Sequence, residues 1–142
     1  MQTPFDLERF VAAQAPLYDK VCDELRAGRK RSHWMWFIFP QVAGLGRSAM
    51  AQKYAIASLA EAQAYLAHPQ RGPRLRDCRG LVAASEASSA DAVFPYPDNL
   101  KVHSSMTLFA HAAPGETVFR ACLDKFFGGA ADAATLELLQ PG

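Results

Sequence analysis

Little in this chain could cross-link it or bind a metal. Its cysteines are Cys22, Cys78 and Cys122 alone. Their number is odd, their spacing is wide and no CxxC pair occurs, so neither a disulfide framework nor a zinc site is expected. No HExxH, no Ser-His-Asp arrangement and no cluster of carboxylates occurs either. The sequence therefore implies no metal and no cofactor, and it assigns no catalytic residue. Excess positive charge is lacking too: 15 Lys and Arg stand against 14 Asp and Glu, giving a net charge of +1 and a pI near 7.8. That balance speaks against a nucleic-acid partner, whose phosphates select a strongly basic face. The longest apolar run, Trp34 to Phe39, falls far short of the roughly 20 residues a bilayer-crossing helix needs, and no membrane association is expected. The opening MQTPFDLERF, with Asp6 and Glu8, does not have the apolar stretch of a secretory signal. The expectation is a cytoplasmic protein.

What is present is a globular balance. The 142 residues are 50% hydrophobic and 20% charged, which suits a single domain over residues 1–142 with a sizeable core. No internal repeat, low-complexity tract or linker divides it.

Helix signals are frequent along the chain. Thr3, Pro4 and Asp6 resemble an N-cap, a first-turn proline and a capping acid, before Leu7, Phe10 and Val11 at helical spacing. Pro16 opens a second helix with Leu17, Tyr18, Val21, Cys22 and Leu25 on one face; Asp19, Lys20, Asp23, Glu24 and Arg26 fill the other, and Gly28 ends it. Ser48 is a cap for a helix through Met50, Tyr54 and Ala57, and Ser58 with Glu61 forms a capping box for one that ends before Pro69. Pro73 opens a helix with Leu75, Cys78, Leu81 and Val82 inward. Arg74 lies closer to that apolar side than Arg76 or Arg79, and a partly buried arginine needs an anion. Ser88 and Asp91 suggest a weaker capping box. FPYPD (Phe94 to Asp98) is a rigid turn leading into a helix that carries Lys101 to Phe109. Val118, Phe119, Cys122, Leu123, Phe126 and Phe127 form the clearest stripe, stopped by Gly128 and Gly129; Asp132 caps a last helix through Leu136, Leu138 and Leu139. Each cysteine falls on the apolar side of a helix, as a buried thiol does. Only Trp34 to Phe39 has the content of a strand, and one strand cannot pair alone. The fold expected is mainly α: a single compact multihelical domain of orthogonally packed helices.

Three segments could carry a site. GRKRSHWMWFIFPQ, Gly28 to Gln41, sets Arg29, Lys30 and Arg31 before His33, Trp34 and Trp36. Arginines and rings are the ingredients of a nucleic-acid grip, but Met35, Phe37, Ile38 and Phe39 leave almost no polar side and read as core. A tryptophan joins an apolar body to an N–H donor, so Trp34 or Trp36 could line a ligand pocket flanked by Lys30, Ser32, His33 and Gln41. GLGRS, Gly44 to Ser48, offers Gly46 and Ser48 at a helix start where an anion could approach backbone N–H groups; the plainer reading is a tight turn and a cap. DNLKVHSSMTLF puts Lys101, Ser104, Ser105 and Leu108 on one side of a helix, where a lysine and two hydroxyls could hold a phosphate or carboxylate. Close helix packing would explain the same serines.

The chain resembles a bacterial family of uncharacterised proteins, the domain of unknown function 1810. The resemblance rests on GRKRSHWMWFIFPQ followed by GLGRS, on YAIASLAEAQAYLAHP (Tyr54 to Pro69), on DNLKVHSSMTLFAH (Asp98 to His111) and on FRACLDKFFGGAADAATLELL (Phe119 to Leu139). It covers nearly the whole chain from Phe10 onward. The chain departs from the family pattern at Arg71, where a leucine is usual, and at Pro95 and Pro97, where a glycine-containing turn is usual; both departures fall in expected connections. The resemblance implies a small all-helical fold and no established activity. The label calpastatin, which some members carry, belongs to a disordered repeat inhibitor, and this globular composition gives it no physical support.

The leading functional expectation is binding of a small anionic, phosphate-bearing, nucleotide-like ligand by Lys30, His33, Trp34, Trp36, Gln41, Gly46, Ser48, Lys101, Ser104 and Ser105. A hydrolase of nucleotide or ADP-ribose-like substrates would use the same residues, with Glu61 or Asp98 as general base and His33 as acid. A protein-interaction module would keep the aromatic stretch as core and dock an acidic partner on the basic segment.

Overall fold

Side-chain oxygens start several helices where the sequence sets them. In the computed structural model the chain is described over residues 8–28, 30–32, 34–45, 48–68, 71–84, 93–94 and 98–139. The expectations for Thr3, Pro4 and Asp6, for Ser88 and Asp91, and for Pro95 to Pro97 lie outside these residues, as do His33 and Gly46. Nine helices run through the described part: α1 (Glu8–Gln14), α2 (Tyr18–Arg26), α3 (Met35–Ile38), α4 (Ala49–Lys53), α5 (Leu59–Ala67), α6 (Arg71–Ala84), α7 (Asp98–Ala112), α8 (Thr117–Phe127) and α9 (Ala133–Leu139). Ser48 Oγ accepts from the Ala51 N–H at 3.1 Å and Ser58 Oγ from the Glu61 N–H at 3.2 Å. The Glu61 carboxylate reaches back one residue further than a standard capping box does, to the Ala57 N–H at 2.6 Å. Asp132 Oδ2 accepts from both the N–H and the hydroxyl of Thr135, at 3.0 and 2.6 Å. These acceptors fill donor positions that an α-helix leaves open at its start. Gly128 ends α8 at φ 61°, a left-handed backbone that a side chain would strain.

No strand forms among the described residues. Met35–Ile38, the stretch with strand-like content, is a single helical turn, and the one extended pairing is an isolated parallel bridge between Val42 and Ile56. Its hydrogen bonds run from the Ala43 N–H to the Ile56 carbonyl and from the Ile56 N–H to the Gln41 carbonyl, each 2.8 Å. That bridge needs Ile56 extended, so α4 stops at Lys53, short of Ala57. α6 begins at Arg71, two residues before Pro73; Arg71 is thus the first residue of a helix and not part of a connection.

α7 is the central element, packed against α5, α8 and α9, while α6 packs on α2, α5 and α8. Val102, Met106, Leu108 and Phe109 of α7 are wholly buried. The close approach of α6 to the end of α5 depends on Gly72, where a Cβ would lie 2.2 Å from the Leu66 carbonyl oxygen. All three cysteines are buried free thiols, and burial pushes Cys78 up to about 12 and Cys122 to about 11, holding both as inert thiols at neutral pH. No described helix is long and apolar enough to cross a membrane.

Candidate functional site

Trp34, Met35, Phe37, Ile38 and Phe39 are core residues. Trp34 stacks on Phe39 at 6.0 Å between ring centroids, and both rings meet Phe94 edge-on. Phe37 packs on Tyr54, whose ring also meets Phe10. A short, irregular segment buried in this way has main-chain groups that no regular ladder satisfies, and each would cost free energy if left bare.

Polar side chains from neighbouring helices complete them. At the start of the segment, Glu24 of α2 accepts from the Arg31 N–H (2.6 Å), the Ser32 N–H (2.9 Å), the Ser32 hydroxyl (2.7 Å) and the Trp34 indole N–H (3.0 Å). Burial alone would raise the Glu24 pKa, but these four donors outweigh it and hold the carboxyl at about 2. At the far end, Gln14 of α1 donates to the Phe37 carbonyl at 2.6 Å and to the Tyr65 hydroxyl at 2.8 Å. Arg79 of α6 donates to the Ile38 carbonyl at 2.7 Å and to Ser105 Oγ at 2.5 Å.

Arg79 is fully buried and forms no ion pair with a carboxylate among the described residues. Its guanidinium lies 4.3 Å from the centroid of Phe39 and 5.4 Å from that of Phe109. Ring faces and the negative end of α3 thus take the place of a counter-ion. Burial lowers its pKa to about 10, which still leaves it charged at neutral pH. Arg79, expected farther from the apolar side of its helix than Arg74, and Glu24, expected on the polar face of α2, are both interior. Arg74, expected nearer the core, lies 5.2 Å over the Tyr18 ring.

The signal for Arg79 was present. Leu75, Cys78 and Val82 mark one stripe, and Arg79 is i+4 from Leu75 and i−3 from Val82, inside that stripe. Glu24 is likewise i+3 from the buried Val21 and next to the buried Leu25.

Two of the three candidate segments meet. The Lys30 backbone N–H donates to the Val93 carbonyl at 2.7 Å, tying the basic stretch to the chain just before α7. Lys30 Nζ then pairs with Asp98 Oδ2 at 2.9 Å, and Lys101 Nζ, one turn along α7, approaches Asp98 Oδ1 at 3.5 Å. Each ammonium also faces an indole: Lys30 lies 5.1 Å from the Trp34 ring centroid and Lys101 5.2 Å from that of Trp36. The Lys30 side chain is only 8% exposed, while Lys101 is 25% exposed. Trp36 is half-buried at the edge of the core, and its indole N–H makes no hydrogen bond among the described residues. Asp98, in the first turn of α7, also complements the positive end of that helix.

The remaining candidates are engaged elsewhere. The Ser104 hydroxyl donates back to the Leu100 carbonyl at 2.9 Å, and Ser105 is the acceptor for Arg79. Ser48 caps α4, and the Gln41 carbonyl belongs to the bridge with Ile56. No hydrogen bond or ring contact joins Ser48 or Gln41 to the lysine pair among the described residues. Glu61 caps the start of α5 and pairs with Arg9 at 3.1 Å. Among the described residues no three His, Cys, Asp or Glu side chains stand close enough to hold a metal ion. A groove of about 570 Å³ lies between α2 and α6, lined by Tyr18, Asp19, Asp23, Arg26, Arg76 and Asp77 among others. Its arginines are already spoken for, Arg26 by Asp23 at 3.4 Å and Arg76 by a bidentate pair to Glu116 at 2.6 and 2.8 Å.

These features describe an all-helical domain whose buried aromatic segment is held at both ends by interior polar side chains. The family model for a protein of unknown function, DUF1810, matches residues 4–139, and the chain belongs to that family. It is 55% identical to the conserved hypothetical protein Rv1873 from Mycobacterium tuberculosis, known from a crystal structure at 1.38 Å; the match covers 99% of this chain and 100% of that one, with a TM-score of 0.96. No curated protein matches the chain.

Proposed function

We propose that this protein binds a small phosphate-bearing anion with a flat, nucleotide-like ring at the cluster of Lys30, Trp36 and Lys101. The observation behind this reading is that two ammonium groups share a single carboxylate, which leaves one positive charge in excess beside a half-buried indole. Phosphate oxygens would take the ammonium protons, as charge-assisted hydrogen bonds do. The Trp36 face would hold a ring, and its N–H would donate to a polar edge. Trp34 serves this reading from beneath, as the wall against which Lys30 is set. A hydrolase would need a carboxylate free to act as a base, whereas both oxygens of Glu61 and both of Asp98 hold partners.

The test is a thermal-shift screen with phosphate, pyrophosphate, nucleotides, NAD, ADP-ribose, sugar phosphates and small carboxylates, repeated on Lys101→Ala. A ligand at 100 times its Kd adds about 2.7 kcal/mol of stability, which a melting curve resolves. A shift confined to phosphate-bearing ligands and lost in Lys101→Ala supports the proposal. A panel with no shift defeats it and leaves the basic segment as a docking surface for an acidic protein.

A further inference from the structure

We infer that Asp98 is a built-in competitor for this anion site, a tethered carboxylate that an incoming ligand must displace and that sets which anions succeed. The inference rests on the reading of Lys30 and Lys101 as ligand-binding groups. Its own support is the asymmetry of the cluster. Asp98 gives one oxygen to each lysine, tightly to the well-buried Lys30 at 2.9 Å and loosely to the more exposed Lys101 at 3.5 Å. Lys101 is thus the point of entry, and the bond that must lengthen there is already long for a hydrogen bond between charged groups. The carboxylate is attached to the same chain and meets the lysines at a high effective concentration, without the loss of translational freedom that a free ligand undergoes. A free monocarboxylate offers the lysines the same charge and chemistry as Asp98, so it has nothing with which to displace it. A ligand bearing several negative charges gains more attraction from the two ammonium groups than Asp98 supplies. The site so built selects phosphomonoesters, pyrophosphates and similar multiply charged anions, and ignores monocarboxylates.

The experiment is calorimetric titration of the full chain with inorganic pyrophosphate and with acetate, at low ionic strength so that screening does not mask the charges. Wild type, Asp98→Asn, and Asp98→Asn combined with Lys101→Ala are compared. Asp98→Asn keeps the side chain's size and removes its charge; it is expected to bind pyrophosphate about tenfold tighter than wild type, from the loss of the competing charge. It is also expected to acquire measurable acetate binding, and both gains should vanish with Lys101→Ala. Pyrophosphate affinity that is unchanged or weaker in Asp98→Asn, while wild-type binding still depends on Lys101, overturns the competitor role and leaves the anion site standing. Gains that survive Lys101→Ala overturn it as well. Absence of binding to wild type and Asp98→Asn alike removes the site itself. Should Asp98→Asn melt far below wild type, Asp98→Ser, which keeps a residue suited to a helix start, is read in the same way.

Discussion

Arg79 and Lys101 are both cations set over aromatic rings, but their surroundings give them opposite parts. Arg79 is sealed inside, its two NH₂ groups donating to the Ile38 carbonyl and Ser105 while its Nε–H has no hydrogen-bond partner among the described residues. Lys101 sits at the rim with a share of one carboxylate at 3.5 Å. The interior cation is an internal fastening: it joins α6 to the end of α3 and to the middle of α7. The rim cation can change partners without disturbing the core. A positive charge is therefore a poor guide to a site until its donors are counted. A buried arginine without a carboxylate is held by two acceptors and two ring faces, sealed from any ligand although its Nε–H has no partner, whereas two lysines on one aspartate at the rim are not fully neutralised.

The largest effect expected is from the interior side of this comparison. Arg79→Ala removes a large buried side chain and leaves the Ile38 carbonyl and the Ser105 hydroxyl without a partner. The combined cavity and desolvation costs are about 3–5 kcal/mol. Arg79→Lys should lose less, because an ammonium keeps the charge and one acceptor but cannot reproduce the planar fork. Urea unfolding measures both. A loss below about 1 kcal/mol for Arg79→Ala would mean that the guanidinium is not the fastening described.

Glu24 is the anionic counterpart at the other end of the same segment, and pH reads its contribution. Its folded pKa of about 2 lies well below the ordinary carboxylate value of 4.5. A depressed folded pKa means that the unfolded chain takes up the proton first, so the stabilisation is complete above pH 4.5 and is lost as pH falls toward 2. That difference corresponds to about 3–4 kcal/mol at most. Glu24→Gln should remove much of this part of the acid dependence while lowering stability at neutral pH by about 1.5–3 kcal/mol, as for hydrogen bonds to a charged group. Comparing acid unfolding of the two proteins checks it; identical slopes between pH 2 and 4.5 would contradict the assignment.

Helix starts were legible in the sequence because a cap is a local device: Ser48, Ser58 and Asp132 each bond a backbone N–H three residues on. Burial of the cysteines was legible from helical spacing for the same reason. The meeting of Lys30 with Lys101 was legible only as a joint site, and its mediator Asp98 stands in the sequence only as the end of the FPYPD turn and a candidate base. Glu24, Gln14 and Arg79 were missed for a common physical cause. Each is polar, and periodicity assigns polar residues to solvent, but the groups they satisfy are main-chain atoms of an irregular segment 7 to 41 residues away in sequence. An apolar run too short for a regular helix needs such partners, and that requirement is the sequence signal for them. Polar residues inside apolar stripes, such as Arg79 between Leu75 and Val82, are the natural candidates.

Ser105→Ala tests whether the Arg79 fastening is shared between its two acceptors. The serine is fully buried, and its loss leaves a charged donor facing a methyl group, a cost of about 1–3 kcal/mol. Because Arg79 and Ser105 touch, their effects should not add: in the double variant with Arg79→Ala, the serine change should cost markedly less than it does alone. Additive losses would mean that the two residues act independently and that Ser105 is not part of the fastening.

The smallest stability effect is expected at the rim. Lys101→Ala breaks a long, partly exposed ion pair, whose contribution is about 0–1 kcal/mol, and the Lys30–Asp98 pair at 2.9 Å remains to hold the start of α7. The unfolding midpoint should therefore hardly move, while the stabilisation by phosphate-bearing ligands disappears. That separation distinguishes a rim cation from an interior one. A Lys101→Ala variant that unfolds several kcal/mol more easily would place Lys101 beside Arg79 as a fastening, and the proposed site would then have no group left to receive its ligand.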